Sequence, residues 1–129
     1  MRGFTLLELI VVIIIIGVLG ALGFAQYTKV VEKGRGAEAK RTLGAMRKAE
    51  EAYRWESGGL YTNVMGELFV DTATSCVATH YFQYSTTATV GTAVRCTTGS
   101  TGKPPQSAAA YVVTLNYVTG IWGGSAGYY

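Results

Sequence analysis

Glu8 is the residue whose type and position most clearly promise chemistry. It stands at the head of an unbroken apolar run, Leu9 to Ala25. An ionised carboxylate within hydrocarbon costs roughly 2.5–3.5 kcal/mol even on lenient insertion scales. A lone acid held at the start of such a segment therefore calls for a partner. Elsewhere the reactive side chains are few. Cys76 and Cys96 both lie beyond the apolar run. If that part of the chain is exported, an oxidising compartment makes a disulfide the default, closing a loop of about 20 residues and stabilising the fold by roughly 3 kcal/mol. Two free buried thiols are the alternative. No CxxC pair exists and His80 is the only histidine, so no metal site is expected. His80 has no nucleophile in a recognisable motif and no acid close by in the chain. With no glycine-rich phosphate loop and no carboxylate pair after Asp71, no catalytic constellation remains, and the chain does not read as an enzyme or a cofactor binder.

The short basic leader Met1-Arg2-Gly3, followed by Phe4 and then by Glu8 four residues later, resembles the type IV prepilin motif. The resemblance implies that a dedicated prepilin peptidase cuts after Gly3 on the cytoplasmic side and methylates the new N-terminal Phe4. It also implies that the mature chain polymerises with copies of itself into a helical filament on an inner-membrane assembly platform, after residence in membrane lipid. Gly3 would be the cleavage determinant, because a subsite at that bond must exclude a side chain. Thr5 and the Leu6-Leu7 pair complete the motif with less individual weight. Glu8 would then neutralise the Phe4 ammonium of a neighbouring subunit. Each charge is expensive alone in low dielectric, so pairing across subunits would set the stagger along the filament.

A plainer reading takes Phe4 to Ala25 as a secretory signal peptide or a simple membrane anchor. Small residues at acceptable spacing occur in Val18-Leu19-Gly20 and Ala21-Leu22-Gly23. Against it, Glu8 offsets the positive charge of Arg2, and the segment has about the ~20 residues a spanning helix needs. Gly17, Gly20 and Gly23 each cost roughly 1 kcal/mol against alanine in a helix interior. They read either as close helix packing or as a stretch that unwinds on assembly. Many pilins carry a helix-bending proline where this chain has Ala25.

The elements that must position these residues follow from composition and period. No proline interrupts the chain before Pro104, and Lys29 to Glu56 is rich in Ala, Lys, Arg and Glu, all good helix formers. Ala39, Leu43, Met46, Ala49 and Tyr53 fall on one helical face. Arg47–Glu51 and Glu50–Arg54 are possible i,i+4 pairs, and Ser57-Gly58-Gly59 supplies a stop. One nearly continuous helix is expected from about Phe4 to Trp55, on the order of 75–80 Å long. Its first half is apolar all round and its second half amphipathic, which predicts a hydrophobic stalk on a small head. Tyr61, Leu68 and Phe69 are possible core anchors in the stretch that follows. Strand-like segments come next: Tyr81 to Val90, a turn at Gly91, Thr92 to Thr98, and Tyr111 to Val118, where Tyr111, Val113, Leu115 and Tyr117 alternate onto one face. Thr119-Gly120 then turns the chain into Ile121-Trp122, and Gly99 to Pro105 reads as a loop. The fold class is α+β: a long N-terminal helix with its amphipathic half packed on an antiparallel sheet of three or four strands, pilin-like in architecture. The expected division is a leader at 1–3, a transmembrane and filament-core helix at 4–25, and an exported head at 26–129.

Composition narrows the function further. The chain has 129 residues and a net charge of +3, enough for one modest domain beyond the N-terminal segment. After Asp71 there is no acidic side chain, amid many Thr, Ser, Gly and Tyr. This is not the basic stripe of a dedicated nucleic-acid partner. Three non-enzymatic readings follow: a type IV pilus subunit serving attachment, twitching motility or DNA uptake; a pseudopilin of type II secretion; or a membrane-anchored binding module that never polymerises. Major pseudopilins typically hold calcium through acidic side chains in a C-terminal loop, which this tail lacks; minor ones do not. In many major pilins the disulfide encloses a C-terminal loop, whereas Cys76–Cys96 would staple the region before the last strand. The implied location is a single inner-membrane span with a cytoplasmic N-terminus, and an extracellular pilus after assembly.

Overall fold

The computed structural model describes residues 3–129; Met1 and Arg2 of the expected leader lie outside the described residues. The helix α1 runs Leu6–Glu56, and the chain divides into two compact units, one ending at Gly34 and one spanning Arg35–Tyr129. In the first unit every residue from Gly3 to Val30 is exposed. That includes the whole run of Leu, Ile and Val that water would not tolerate bare. The segment is long and apolar enough to cross a membrane.

In the second unit α1 buries Gly36, Ala39, Leu43, Met46 and Glu50. The face begins earlier than expected, at Gly36, and fades at Ala49 and Tyr53, which are half-buried. The helix stops as the glycines dictate. Gly58 and Gly59 take φ of 76° and 101°, and the Gly59 amide donates back to the Arg54 carbonyl at 2.8 Å, the long-range bond of a Schellman-type ending.

Against this face packs a four-stranded antiparallel meander in the order β1 (Phe82–Thr86), β2 (Val90–Arg95), β3 (Val112–Asn116) and β4 (Trp122–Gly124). Strand alternation places Phe82, Tyr84, Ala93, Val113 and Leu115 inward with Tyr111 and Tyr117. The α+β class and the β3 pattern are as read from sequence.

Two local expectations fail. The first hairpin turns at residues 87–89, where the Thr87 amide and hydroxyl both bond to Val90, and not at Gly91. Gly91 lies inside β2 opposite Leu115 and Thr86. It is glycine because a Cβ there would collide with the Tyr117 hydroxyl and sit 3.0 Å from Leu43 Cδ2. Phe69 is not a core anchor. It is 97 % exposed, while Leu68 is 4 % exposed and Val70 packs on the core.

Candidate functional site

The expected assembly segment begins with a closed hydrogen-bond ring. Thr5 precedes the first residue of α1 and Glu8 is the third residue within it. The Thr5 amide donates to Glu8 Oε2 at 2.9 Å, and the Thr5 hydroxyl donates to the same oxygen at 2.7 Å. The Glu8 amide donates to Thr5 Oγ1 at 3.3 Å. This is a capping box, in which two orphan amide donors at a helix start are satisfied reciprocally. The Thr-x-x-Glu spacing signals it in the sequence, and motif reasoning passed over it by treating Thr5 as secondary. Glu8 thus has a local role beside any role between subunits. Both bonds that its carboxylate accepts from Thr5 fall on one oxygen.

Gly3 and Phe4 lie just before this cap and are exposed. Gly17, Gly20 and Gly23 sit within regular helix, and a Cβ at each would meet nothing within 4 Å. Within one chain, then, these glycines relieve no contact.

In the second unit, a polar cluster ties the segment after α1 to the helix. Glu50 is 0 % exposed. Its Oε2 accepts the Thr62 amide at 3.1 Å and its Oε1 accepts the Thr86 hydroxyl at 3.2 Å. Thr86 also meets the Tyr117 hydroxyl at 2.9 Å. Burial pushes the Glu50 carboxyl above its ordinary pKa of 4.5, with the Thr62 and Thr86 hydrogen bonds pulling the other way and the charge of Glu67 adding to the rise. Burial also pushes the Tyr117 hydroxyl up to about 12. The Thr62 hydroxyl in turn donates to Glu67. The expected surface pair Glu50–Arg54 is thereby replaced. Glu50 turns inward, and the Arg54 guanidinium lies 5.5 Å from the Tyr61 ring centre.

A second buried charge organises the loop after β2. Arg95 is 1 % exposed and donates to the carbonyls of Tyr81 (3.1 Å), Cys96 (3.2 Å) and Pro105 (2.8 Å). Cys76 and Cys96 form the disulfide, which ties the stretch before β1 to the end of β2. The Cys96 side chain sits where a Cβ on Gly102 would fall. His80 meets the Thr79 hydroxyl at 2.8 Å. No group of three or more His, Cys, Asp or Glu able to hold a metal occurs among the described residues. The polar clusters satisfy the buried side-chain polar groups of the described residues.

Residues 1–24 match the prokaryotic N-terminal methylation motif, the prepilin signal of type IV pilins and pseudopilins. No curated protein matches the chain. The motif, the apolar N-terminal helix and the α+β architecture support a protein of the type IV pilin or pseudopilin class, whose known role is structural rather than enzymatic. The motif implies processing by prepilin peptidase and assembly into pilus-like polymers, and together with the apolar helix it fits membrane anchoring.

Proposed function

We propose that the chain is a structural subunit of a type IV pilus. It is cut between Gly3 and Phe4, methylated on Phe4, held in the inner membrane by residues 4–25 with its N-terminus in the cytoplasm, and polymerised so that residues 26–129 form the outer surface of an extracellular filament. The observation that carries this reading is that every residue from Gly3 to Val30 is exposed, in a segment that carries the prepilin signal. So much bare apolar helix is stable only in lipid or against copies of itself. Cleavage leaves an ammonium on Phe4, and Glu8 is the carboxylate nearest it in depth. Gly17, Gly20 and Gly23 provide either close approach between neighbouring helices or a point of local unwinding on assembly. The tail after Asp71 offers no side-chain carboxylate to a calcium ion, which favours a pilus subunit over a major pseudopilin. Attachment, twitching motility or DNA uptake would be the service of such a filament.

The test is a pair of substitutions at Glu8. Glu8→Gln keeps an acceptor for the Thr5 amide and so preserves the helix cap, but removes the charge. Glu8→Ala removes both. If the carboxylate pairs with a neighbour's ammonium, both variants are processed normally and both lose filaments. Abundant normal filaments from Glu8→Gln would refute the charge-pairing role.

A further inference from the structure

We propose that Phe69 of one subunit inserts into a groove on a second copy of the chain, between α1 and the β3–β4 hairpin. The contact rests on the filament reading above and deepens it by naming which surfaces of the head meet.

The knob is built at some cost to the chain. Phe69 has φ of +49°, the only positive φ on a non-glycine among the described residues, and bulky side chains rarely hold that conformation. Its effect is directional. Leu68 and Val70 turn inward on either side, while the left-handed backbone throws the Phe69 ring outward, almost wholly into water. Exposed acids flank it at Glu67 and Asp71. An aromatic held out by a strained backbone, with acids two residues away on both sides, has the form of an interface anchor.

The groove has the complementary character. It is an open depression of about 500 Å³. Leu115 and Trp122 line it from the sheet, Gly44 opens it on the helix, and Arg47 and Lys48 give it a cationic rim against the single acid Glu51. Gly120, at φ +72°, leaves room beside the Arg47 guanidinium, whose Nε is fixed by donation to the Tyr117 carbonyl at 3.0 Å. Val118 and Ile121, both exposed on the same hairpin, extend the apolar surface.

Knob and groove lie on opposite flanks of the buried helix face. Val70 and Asp71 line a shallow cleft with Glu38, Arg41 and Thr42, whereas the groove uses Gly44, Arg47 and Lys48. Two different patches on opposite flanks that fit one another make a heterologous contact, the head-to-tail kind from which open helical filaments or closed rings are built and not an isologous dimer. An acid-flanked ring entering a cation-rimmed apolar groove also fixes the direction of stacking.

The experiment uses the full chain in cells that process and export it, with four variants: Phe69→Gly, Asp71→Lys, Lys48→Asp and the double reversal of the last two. Glycine holds φ +49° freely, so Phe69→Gly should raise the melting temperature of the subunit while lowering the yield of sheared filaments about tenfold or more. Each single reversal should reduce yield, and the double reversal should restore it. Wild-type yield from Phe69→Gly, with wild-type filaments abundant, would overturn this contact and leave the filament reading standing. Unchanged filaments with loss of cell attachment would assign the ring to a foreign partner and overturn it equally. No polymer from the wild-type chain would overturn the filament reading, and this contact with it.

Discussion

Replacing Glu50 separates the hydrogen bonding of a buried carboxylate from its charge. Glu50→Ala leaves the Thr62 amide, on a residue that is itself buried, without an acceptor, at about 1–3 kcal/mol. Thr86 keeps the Thr87 carbonyl at 3.0 Å and the Tyr117 hydroxyl at 2.9 Å, and loses little. A net cost of about 2 kcal/mol lowers the melting temperature of a unit this size by roughly 8–16 °C. Glu50→Gln behaves differently. Its carbonyl accepts the Thr62 amide, and its NH2 donates to Thr86 Oγ1. The pH dependence follows from the raised pKa. Between the unfolded and folded values the native state holds a proton that the unfolded state has lost. The stability of the protonated form is therefore fully present in acid and falls as pH rises through the folded value. Glu50→Gln should abolish that fall and, above the folded value, melt at or above the wild-type temperature. Near-ultraviolet circular dichroism melts of the full chain in detergent, from acid to mild alkali, read all three proteins. Glu50→Gln as damaging as Glu50→Ala at a pH above the folded value, where the wild-type stability has stopped falling, would refute the reasoning, since it would mean that the buried charge itself stabilises the head.

Other substitutions test other joints of the structure. Gly91→Ala puts a Cβ 2.9 Å from Tyr117 Cζ and 3.0 Å from Leu43 Cδ2, an overpacking cost of about 1–3 kcal/mol. The cost should shrink in a Tyr117→Phe background, as a double-mutant cycle of thermal melts would read. Cys76→Ser opens the link across a sequence separation of 20 and should lower stability by roughly 3 kcal/mol, measured by denaturant unfolding. Thr5→Val removes the hydroxyl partner of Glu8 while keeping the carboxylate, and should cost about 1 kcal/mol of helix-end stability. Faster amide exchange confined to the first turn of α1 would reveal it.

Much of this architecture is legible in the sequence because its signals are local and periodic. The absence of proline before Pro104, the stripe Ala39-Leu43-Met46 and the Ser57-Gly58-Gly59 stop mark out α1. Strict alternation from Tyr111 to Tyr117 marks β3. What stays hidden depends on distant partners. Gly91 carries the composition of a turn, and only its pairing with β1 and β3 and the Tyr117 ring arriving just past β3 show it to be a strand position that must be glycine. Glu50 sits at helical spacing from Arg54 and reads as a surface acid until the Thr62 amide and Thr86 hydroxyl are brought over it by the fold. Arg95 reads as one of the few charges of a polar tail, yet three carbonyls from separate loop positions close around it. Phe69 reads as core because its neighbours are apolar, and a single backbone angle reverses its direction. The prepilin motif is compact and stands out, whereas the Thr5–Glu8 cap inside it is visible only when the spacing is read as hydrogen-bond geometry.

The central claim, that the chain is processed and polymerised as a pilus subunit, is tested most directly by intact-mass and N-terminal peptide mass spectrometry. The material is filaments sheared from cells, compared with the membrane fraction. The account predicts a chain beginning at N-methylated Phe4 in the sheared filaments. The same mature chain confined to membranes would contradict the extracellular pilus and point to a pseudopilin or minor pilin. An uncut Met1, or cleavage near Gly20 or Gly23, would contradict the filament reading altogether.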